Sequence, residues 1–113
     1  MTIEVDGKSI PTDNEGFLMN PEDWNEEIAV KMAQEEGLEL TEEHWKIIRF
    51  MRDYYNEQQI PADVRFVTKY LVNELGYGKK EAKKRLFDLF PYGHVKHTCK
   101  ISGMKRPRIW STG

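Results

Sequence analysis

Four segments with helical spacing of apolar residues constrain the fold of this chain most strongly. In the first of them, Trp24, Ile28 and Met32 recur every four residues and therefore share one face of a helix. Capping residues or lysines mark where the segments start, and glycine or proline marks where they end. The pattern predicts helices over residues 21–36, 41–59, 62–75 and 79–90.

A short β-hairpin is predicted near the start of the chain, because Asp6-Gly7 separates two short stretches of alternating apolar and polar residues. Residues 94–113, in contrast, show no sustained helical or strand period. We therefore predict a mainly α fold: a compact helical bundle with a short N-terminal β-hairpin, a helix-turn-helix-like pair and a C-terminal arm. In this prediction residues 1–93 form the helical domain and residues 94–113 form the arm.

The cysteine count and the lack of long apolar runs exclude several classes of protein. A single cysteine, Cys99, cannot supply an intramolecular disulfide, a multi-cysteine metal site or a CxxC redox pair. No apolar run approaches the roughly 20 residues of a membrane span, and the first residues do not resemble a signal peptide. No glycine-rich phosphate loop and no hydrolase or metalloprotease motif is present. We expect a monomeric cytoplasmic protein with no cofactor and no membrane partner.

The charges are distributed unevenly along the chain. Residues 1–63 carry 16 acidic and 5 basic residues, whereas residues 64–113 carry 3 acidic and 12 basic residues. Two readings are open. The halves attract each other, or the basic half attracts nucleic acid, an acidic partner or an anionic substrate.

A helix-turn-helix-like pair is the first candidate site. The third and fourth predicted helices are joined by a three-residue break, Gly76-Tyr77-Gly78, and the fourth helix is basic at its start. These basic side chains could contact phosphates of DNA, or they could form an ordinary solvated helix face. The residues are Lys79, Lys80, Lys83, Lys84 and Arg85.

The lone cysteine is the second candidate. Lys96 and Lys100 flank Cys99, and nearby positive charge lowers the pKa of a thiol and raises its reactivity. Free cysteine is also among the residues most often buried, so an inert Cys99 is an equal alternative. A metal site of His94, His97 and Cys99 is poorly supported by ligand number and spacing, and we expect no metal.

Several blocks of this sequence have a familiar order: IEVDGK, DNEGFL, NPEDWNEEIA, LELTEEHWKIIRFMRDYY, VRFVTK, LFPYG and CKISGMKRP. In these blocks the chain resembles the DsrC/TusE family, which includes the gamma subunit associated with dissimilatory sulfite reductase. The resemblance covers nearly the whole chain. It implies a small helical protein with a helix-turn-helix-like portion and a mobile C-terminal arm.

The resemblance also implies a role for the arm. DsrC proteins relay sulfur by means of two arm cysteines, one penultimate in the chain and the other eleven positions earlier, and TusE proteins keep the penultimate one. Cys99 matches the earlier cysteine, and the position eleven residues later is Trp110. Because one cysteine cannot close an intramolecular disulfide, any exchange at Cys99 must involve a second molecule.

We therefore predict a sulfur-metabolism protein, without turnover of its own, that docks on a sulfite reductase-like or sulfurtransferase-like partner. Cys99 is the candidate thiol for a persulfide or a mixed disulfide. An alternative is a regulator that binds DNA through the helix-turn-helix-like segment at 62–90. The side chains predicted to bind the protein partner are those of the basic arm and its aromatic residue: Lys96, Lys100, Lys105, Arg106, Arg108 and Trp110.

Overall fold

The computed structural model describes residues 1–106. The chain opens with the predicted hairpin, in which β1 (Thr2–Val5) pairs antiparallel with β2 (Lys8–Pro11) and Ile3 lies opposite Ile10. Asp6 and Gly7 both have positive φ angles, 51° and 75°, as a tight two-residue hairpin turn requires. The hairpin therefore forms where the Asp-Gly pair predicted it.

Among the described residues, four α-helices follow the hairpin, so the prediction of a mainly α fold is confirmed. Within residues 1–106, no helix combines the length and the apolar character that crossing a bilayer requires. The helices are α1 (Glu26–Glu35), α2 (Glu42–Gln58), α3 (Val64–Leu75) and α4 (Lys79–Leu89).

The first predicted helix is interrupted, which corrects the prediction for residues 21–25. Asn20 caps only a 3₁₀ turn, Pro21–Asp23, and the chain then extends through Trp24. Asn25 starts α1 afresh, its side-chain oxygen accepting a hydrogen bond from the Ile28 amide at 2.9 Å. Trp24 therefore lies outside α1, and its side chain contacts a part of the chain that is distant in sequence.

The segment after α4 differs most from the prediction. A π-helical segment spans His94–Cys99 and continues for two α-helical residues, Lys100 and Ile101, where no period was expected. Its inner side chains join the same core as α1 and α2, so residues 94–104 belong to the packed domain rather than to a separate arm. The fully or nearly fully buried residues of this segment are His94, His97, Thr98, Cys99, Ile101, Ser102 and Met104.

Ion pairs join the acidic and basic halves of the chain, as one of the two readings of the charge pattern predicted. Glu36, which caps the C-terminus of α1, binds Lys100 at 2.8 Å, and Glu43 on α2 binds Arg85 on α4 at 2.5 Å. Glu15 pairs with Arg106. The asymmetry along the sequence is thus partly neutralised within the fold.

Candidate functional site around Cys99

Cys99 has no solvent-exposed surface in this conformation. Its burial raises the pKa of the thiol well above the ordinary value, which suppresses the thiolate. The flanking lysines do not counter this effect, because Lys96 points to solvent and Lys100 is paired with Glu36. The environment of Cys99 is therefore that of a protected thiol and not the electropositive one that its sequence neighbours suggested.

Side chains from α2 and from the turn before α1 hold the chain immediately after Cys99. The indole Nε1–H of Trp24 donates to the carbonyl of Ile101 at 2.9 Å, and Arg52 donates to the carbonyl of Ser102 at 3.2 Å. The Arg52 guanidinium also lies 4.7 Å from the centre of the Trp24 ring. These donors satisfy carbonyls that the end of a helix leaves without partners.

Gly103 allows this close packing. It has a φ of +82°, and a Cβ atom at this position would lie 2.4 Å from Cδ1 of Trp24. The Met104 amide then turns back to donate to the Cys99 carbonyl at 3.0 Å. A residue without a side chain is thus required beside Trp24 for the segment to close.

The three histidines are buried around the same segment. His44 joins the N-terminus of α2 to the end of α4: its Nδ1 accepts from the Thr41 amide, and its Nε2 lies 2.7 Å from the Leu89 carbonyl. His94 Nε2 lies 2.7 Å from the Ala62 carbonyl, so it donates there. His97 Nδ1 accepts from the Tyr92 amide at 3.3 Å. Each arrangement suits a neutral imidazole.

Acidification should therefore destabilise the fold. Burial lowers the pKa of all three histidines in the folded protein. As the pH falls through about 6.5, the ordinary pKa of histidine, the unfolded chain therefore takes up protons before the folded chain does. Stability should be constant above this pH and should decline below it. Glu36 favours the His97 cation, whereas Lys100 and His44 oppose it. Urea unfolding at pH about 7.5 and about 5 measures the decline, which should be smaller in His97→Gln. An unchanged urea midpoint over this range would contradict the assignment.

Two buried polar atoms next to Cys99 are not satisfied by hydrogen bonds within the described residues. They are Thr98 Oγ1 and His97 Nε2, although the latter lies 3.9 Å from a Glu36 oxygen. Burial of an unpaired polar atom costs about 1–3 kcal/mol. The π-helical segment therefore holds Cys99 inside at an energetic cost, and π-helical turns are frequent at functional sites.

The predicted partner-binding residues fall into three groups. Lys96 and Lys105 are exposed and without ion pairs among the described residues, whereas Lys100 and Arg106 are paired with Glu36 and Glu15. Arg108 and Trp110 lie outside the described residues. A groove of about 380 Å³ runs along the outer face of the segment. It is lined by Glu15, Phe17, Glu36, Tyr92, Lys96 and Lys100.

No group of three or more His, Cys, Asp and Glu side chains is arranged to hold a metal ion in the part of the chain that the structure describes. His94 faces the start of α3 through the Ala62 carbonyl, while His97 faces α1 through Glu36. The two histidines that the sequence places near Cys99 thus serve different contacts.

The predicted nucleic-acid residues do not act as one set. Lys79, Lys80, Lys83 and Lys84 are exposed on α4, but Arg85 is engaged with Glu43, which also accepts from the Tyr77 hydroxyl at 2.7 Å. The hydrogen bond from Arg85 lowers the pKa of Glu43 to about 2, so this carboxylate remains charged and paired. DNA binding through α3 and α4 stays a prediction.

Comparison with known proteins agrees with this architecture. The family described as "DsrC like protein" matches residues 4–109. This chain belongs to the DsrC-like family. The sulfurtransferase TusE of Escherichia coli K12 is 39% identical over 102 residues, covering 90% of this chain and 93% of the relative.

Two solved DsrC structures extend the match to three dimensions. The oxidized gamma subunit of the dissimilatory sulfite reductase (DsrC) from Archaeoglobus fulgidus is 36% identical, with a TM-score of 0.85 and coverage of 96% and 97% of the two chains. Allochromatium vinosum DsrC is 48% identical, with a TM-score of 0.82 and coverage of 95% of each chain. The resemblance seen in the sequence blocks is thus confirmed.

Sequence reasoning missed the residues that keep Cys99 inside. The helical spacing placed Trp24 on a helix face, and Arg52 and Gly103 were not among the candidate residues. The one available signal was a glycine four residues after the cysteine, which is typical of a chain that turns sharply at the end of a helix.

Proposed function

We propose that this protein serves sulfur metabolism as a relay or accessory subunit that docks on a larger sulfite reductase-like or sulfurtransferase-like protein. The observation that carries the proposal is the position of Cys99, the only cysteine, in a π-helical segment of a DsrC-like fold beside two unpaired buried polar atoms. The names of its relatives, a sulfurtransferase and a sulfite reductase subunit, support the two partner classes.

The chemistry at Cys99 is persulfide exchange. The Cys99 thiolate attacks the outer sulfur of a partner persulfide, a new S–S bond forms at Sγ, and the partner's S–S bond breaks to release its thiolate. No external oxidant or reductant is needed, because one persulfide replaces another. Transfer onward to an acceptor thiolate reverses the same step.

Exchange requires Cys99 to leave its buried position. Three interactions hold the segment, and all of them involve residues 100–102. They are the hydrogen bonds from Trp24 and Arg52 and the Glu36–Lys100 ion pair. A partner that competes for these groups would release the segment. The unsatisfied atoms of His97 and Thr98 reduce the cost of that release, because water can solvate them once the segment opens.

Docking uses the exposed cations beside the segment. Lys96 and Lys105 are unpaired among the described residues and would steer the protein to an acidic surface. Arg108 and Trp110 are assigned to the same contact, Trp110 as an aromatic anchor of the kind that dominates binding energy at interfaces.

Persulfide transfer is tested by mass spectrometry. After incubation with a persulfide-loaded sulfurtransferase, the intact protein should gain the mass of one sulfur atom, and Cys99→Ser should gain none. Cys99→Ala serves as a second variant, since it places no hydroxyl in the apolar site. If the native chain gains no sulfur, or if the two variants gain as much as the native chain, Cys99 is not a relay thiol.

The docking contact is tested by charge reversal. Lys96→Glu with Lys105→Glu should slow association with the sulfurtransferase about tenfold at low salt, because steering depends on the local charge. Lys31→Glu with Lys46→Glu makes the same change in charge on α1 and α2 and should have a smaller effect. Equal slowing by both pairs would show that only net charge matters and would remove the proposed contact.

A further inference from the structure

An apolar cleft lies on the side of the molecule formed by α3, α4 and the start of the C-terminal segment. Its volume is about 340 Å³, enough for one bulky side chain, and its walls are almost entirely apolar. Phe87 is 52% exposed at this cleft, an unusual position for a phenylalanine in the middle of a helix face. The cleft is lined by Val64, Lys83, Leu86, Phe87, Phe90, Gly93 and His94.

Four lysines on α4 extend from this cleft. Lys83 and Lys79 lie one and two turns before Phe87 on the same helix face, and Lys80 and Lys84 adjoin them. None of the four forms an ion pair within the described residues. Arg85 and Lys100, in contrast, are neutralised by acids of the N-terminal half. Lys79 with Lys83 and Lys80 with Lys84 are like charges four residues apart, and a partner's acids would relieve the repulsion that Glu81 and Asp88 leave.

We propose that the cleft and the α4 lysines form a docking site for an acidic protein segment that inserts one bulky apolar side chain beside Phe87. The lysines and the cleft adjoin one another along α4, and the helix is about 12 Å long between Lys79 and Phe87. A small ligand filling the cleft would leave the outer lysines without a counter-charge. An extended acidic segment covers both features at once.

This surface fits an acidic protein better than DNA. Phosphates would neutralise the lysines but would leave the apolar walls and Phe87 without a complement. Arginine gives the most frequent base-specific contact, and Arg85 is held by Glu43.

Two labelled peptides of about 12 residues test the proposal. One carries glutamates on both sides of a central tryptophan, and its twin carries serine in place of the tryptophan. Fluorescence anisotropy should show the tryptophan peptide binding about tenfold more tightly, since filling an apolar cleft contributes more than 1 kcal/mol. Amide NMR shifts on binding should centre on Phe87 and His94.

Matched variants locate the contact. Phe87→Ala should weaken the tryptophan peptide about tenfold and leave the serine peptide unchanged, whereas Phe66→Ala, which alters a 42% exposed phenylalanine on α3 outside the cleft, should change neither. Lys80→Gln with Lys84→Gln should weaken both peptides, and Lys31→Gln with Lys46→Gln should not.

Three outcomes would overturn the proposal: no binding of either peptide, equal binding of the two, or tighter binding of a short DNA duplex than of the tryptophan peptide. Cys99→Ser should leave peptide binding unchanged. The result is therefore independent of whether the protein relays sulfur.

Discussion

Gly103→Ala should destabilise the protein by about 3 kcal/mol or more and lower its melting temperature by roughly 10–15 °C. A side chain at a φ of +82° is strained, and the added Cβ would lie within 2.4–2.7 Å of three Trp24 atoms. Trp24 cannot easily retreat, because it is bound to the Ile101 carbonyl and covered by Arg52. Thermal and urea unfolding measure the effect.

Gly76→Ala and Gly37→Ala are the matched controls. Both glycines have positive φ angles, +78° and +72°, but a Cβ at either position would meet nothing within 4 Å. Each substitution should cost only about 1 kcal/mol from backbone strain. If all three variants lose equal stability, the contact between Gly103 and Trp24 does not determine how the C-terminal segment packs.

Alkylation of Cys99 in the native protein should be at least about a thousandfold slower than in urea. The reagent can react only after the buried thiol opens, and opening free energies in a domain's core approach the global value of about 5 kcal/mol or more. Because Gly103→Ala weakens the packing of this segment, it should accelerate the reaction about a hundredfold. Iodoacetamide labelling followed by intact mass spectrometry gives both rates.

Gly76→Ala distinguishes local from global opening in the same assay. If only residues 93–104 detach, a change in the turn between α3 and α4 should leave the alkylation rate of Cys99 unaltered. If the whole domain must unfold, the rate should rise about fivefold, in proportion to the roughly 1 kcal/mol lost. Native Cys99 reacting as fast as the thiol in urea would refute the buried position itself.

The sequence was sufficient to predict the hairpin and helices α2 to α4, because local signals determine them. Asp6-Gly7 selects a tight turn, and Thr41, Gly76 and Gly78 mark helix ends close to the observed ones. Packing rather than local signals decides which face of α2 turns inward, and its buried residues are His44, Ile47, Ile48 and Met51.

The site around Cys99 could not be predicted in this way, because distant residues determine it. Lys96 and Lys100 are neighbours of Cys99 in sequence, yet its environment is set by burial in the core of the domain. The contacts that place the segment involve Trp24, Glu36 and Arg52, none of which is local to it. Tertiary packing therefore overrides the weak local preference of residues 94–104 for irregular structure.

The hydrogen bond from Trp24 to Ile101 joins positions 77 residues apart, and the ion pair from Glu36 to Lys100 joins positions 64 residues apart. During synthesis, therefore, helices α1 and α2 emerge long before the C-terminal segment that completes the core. Until residue 104 has left the ribosome, the core that contains Ile28, Ile48 and Met51 lacks Cys99, Ile101 and Met104. Cys99 thus lies in the last stretch of chain that the core needs. The thiol becomes buried as the domain completes its folding.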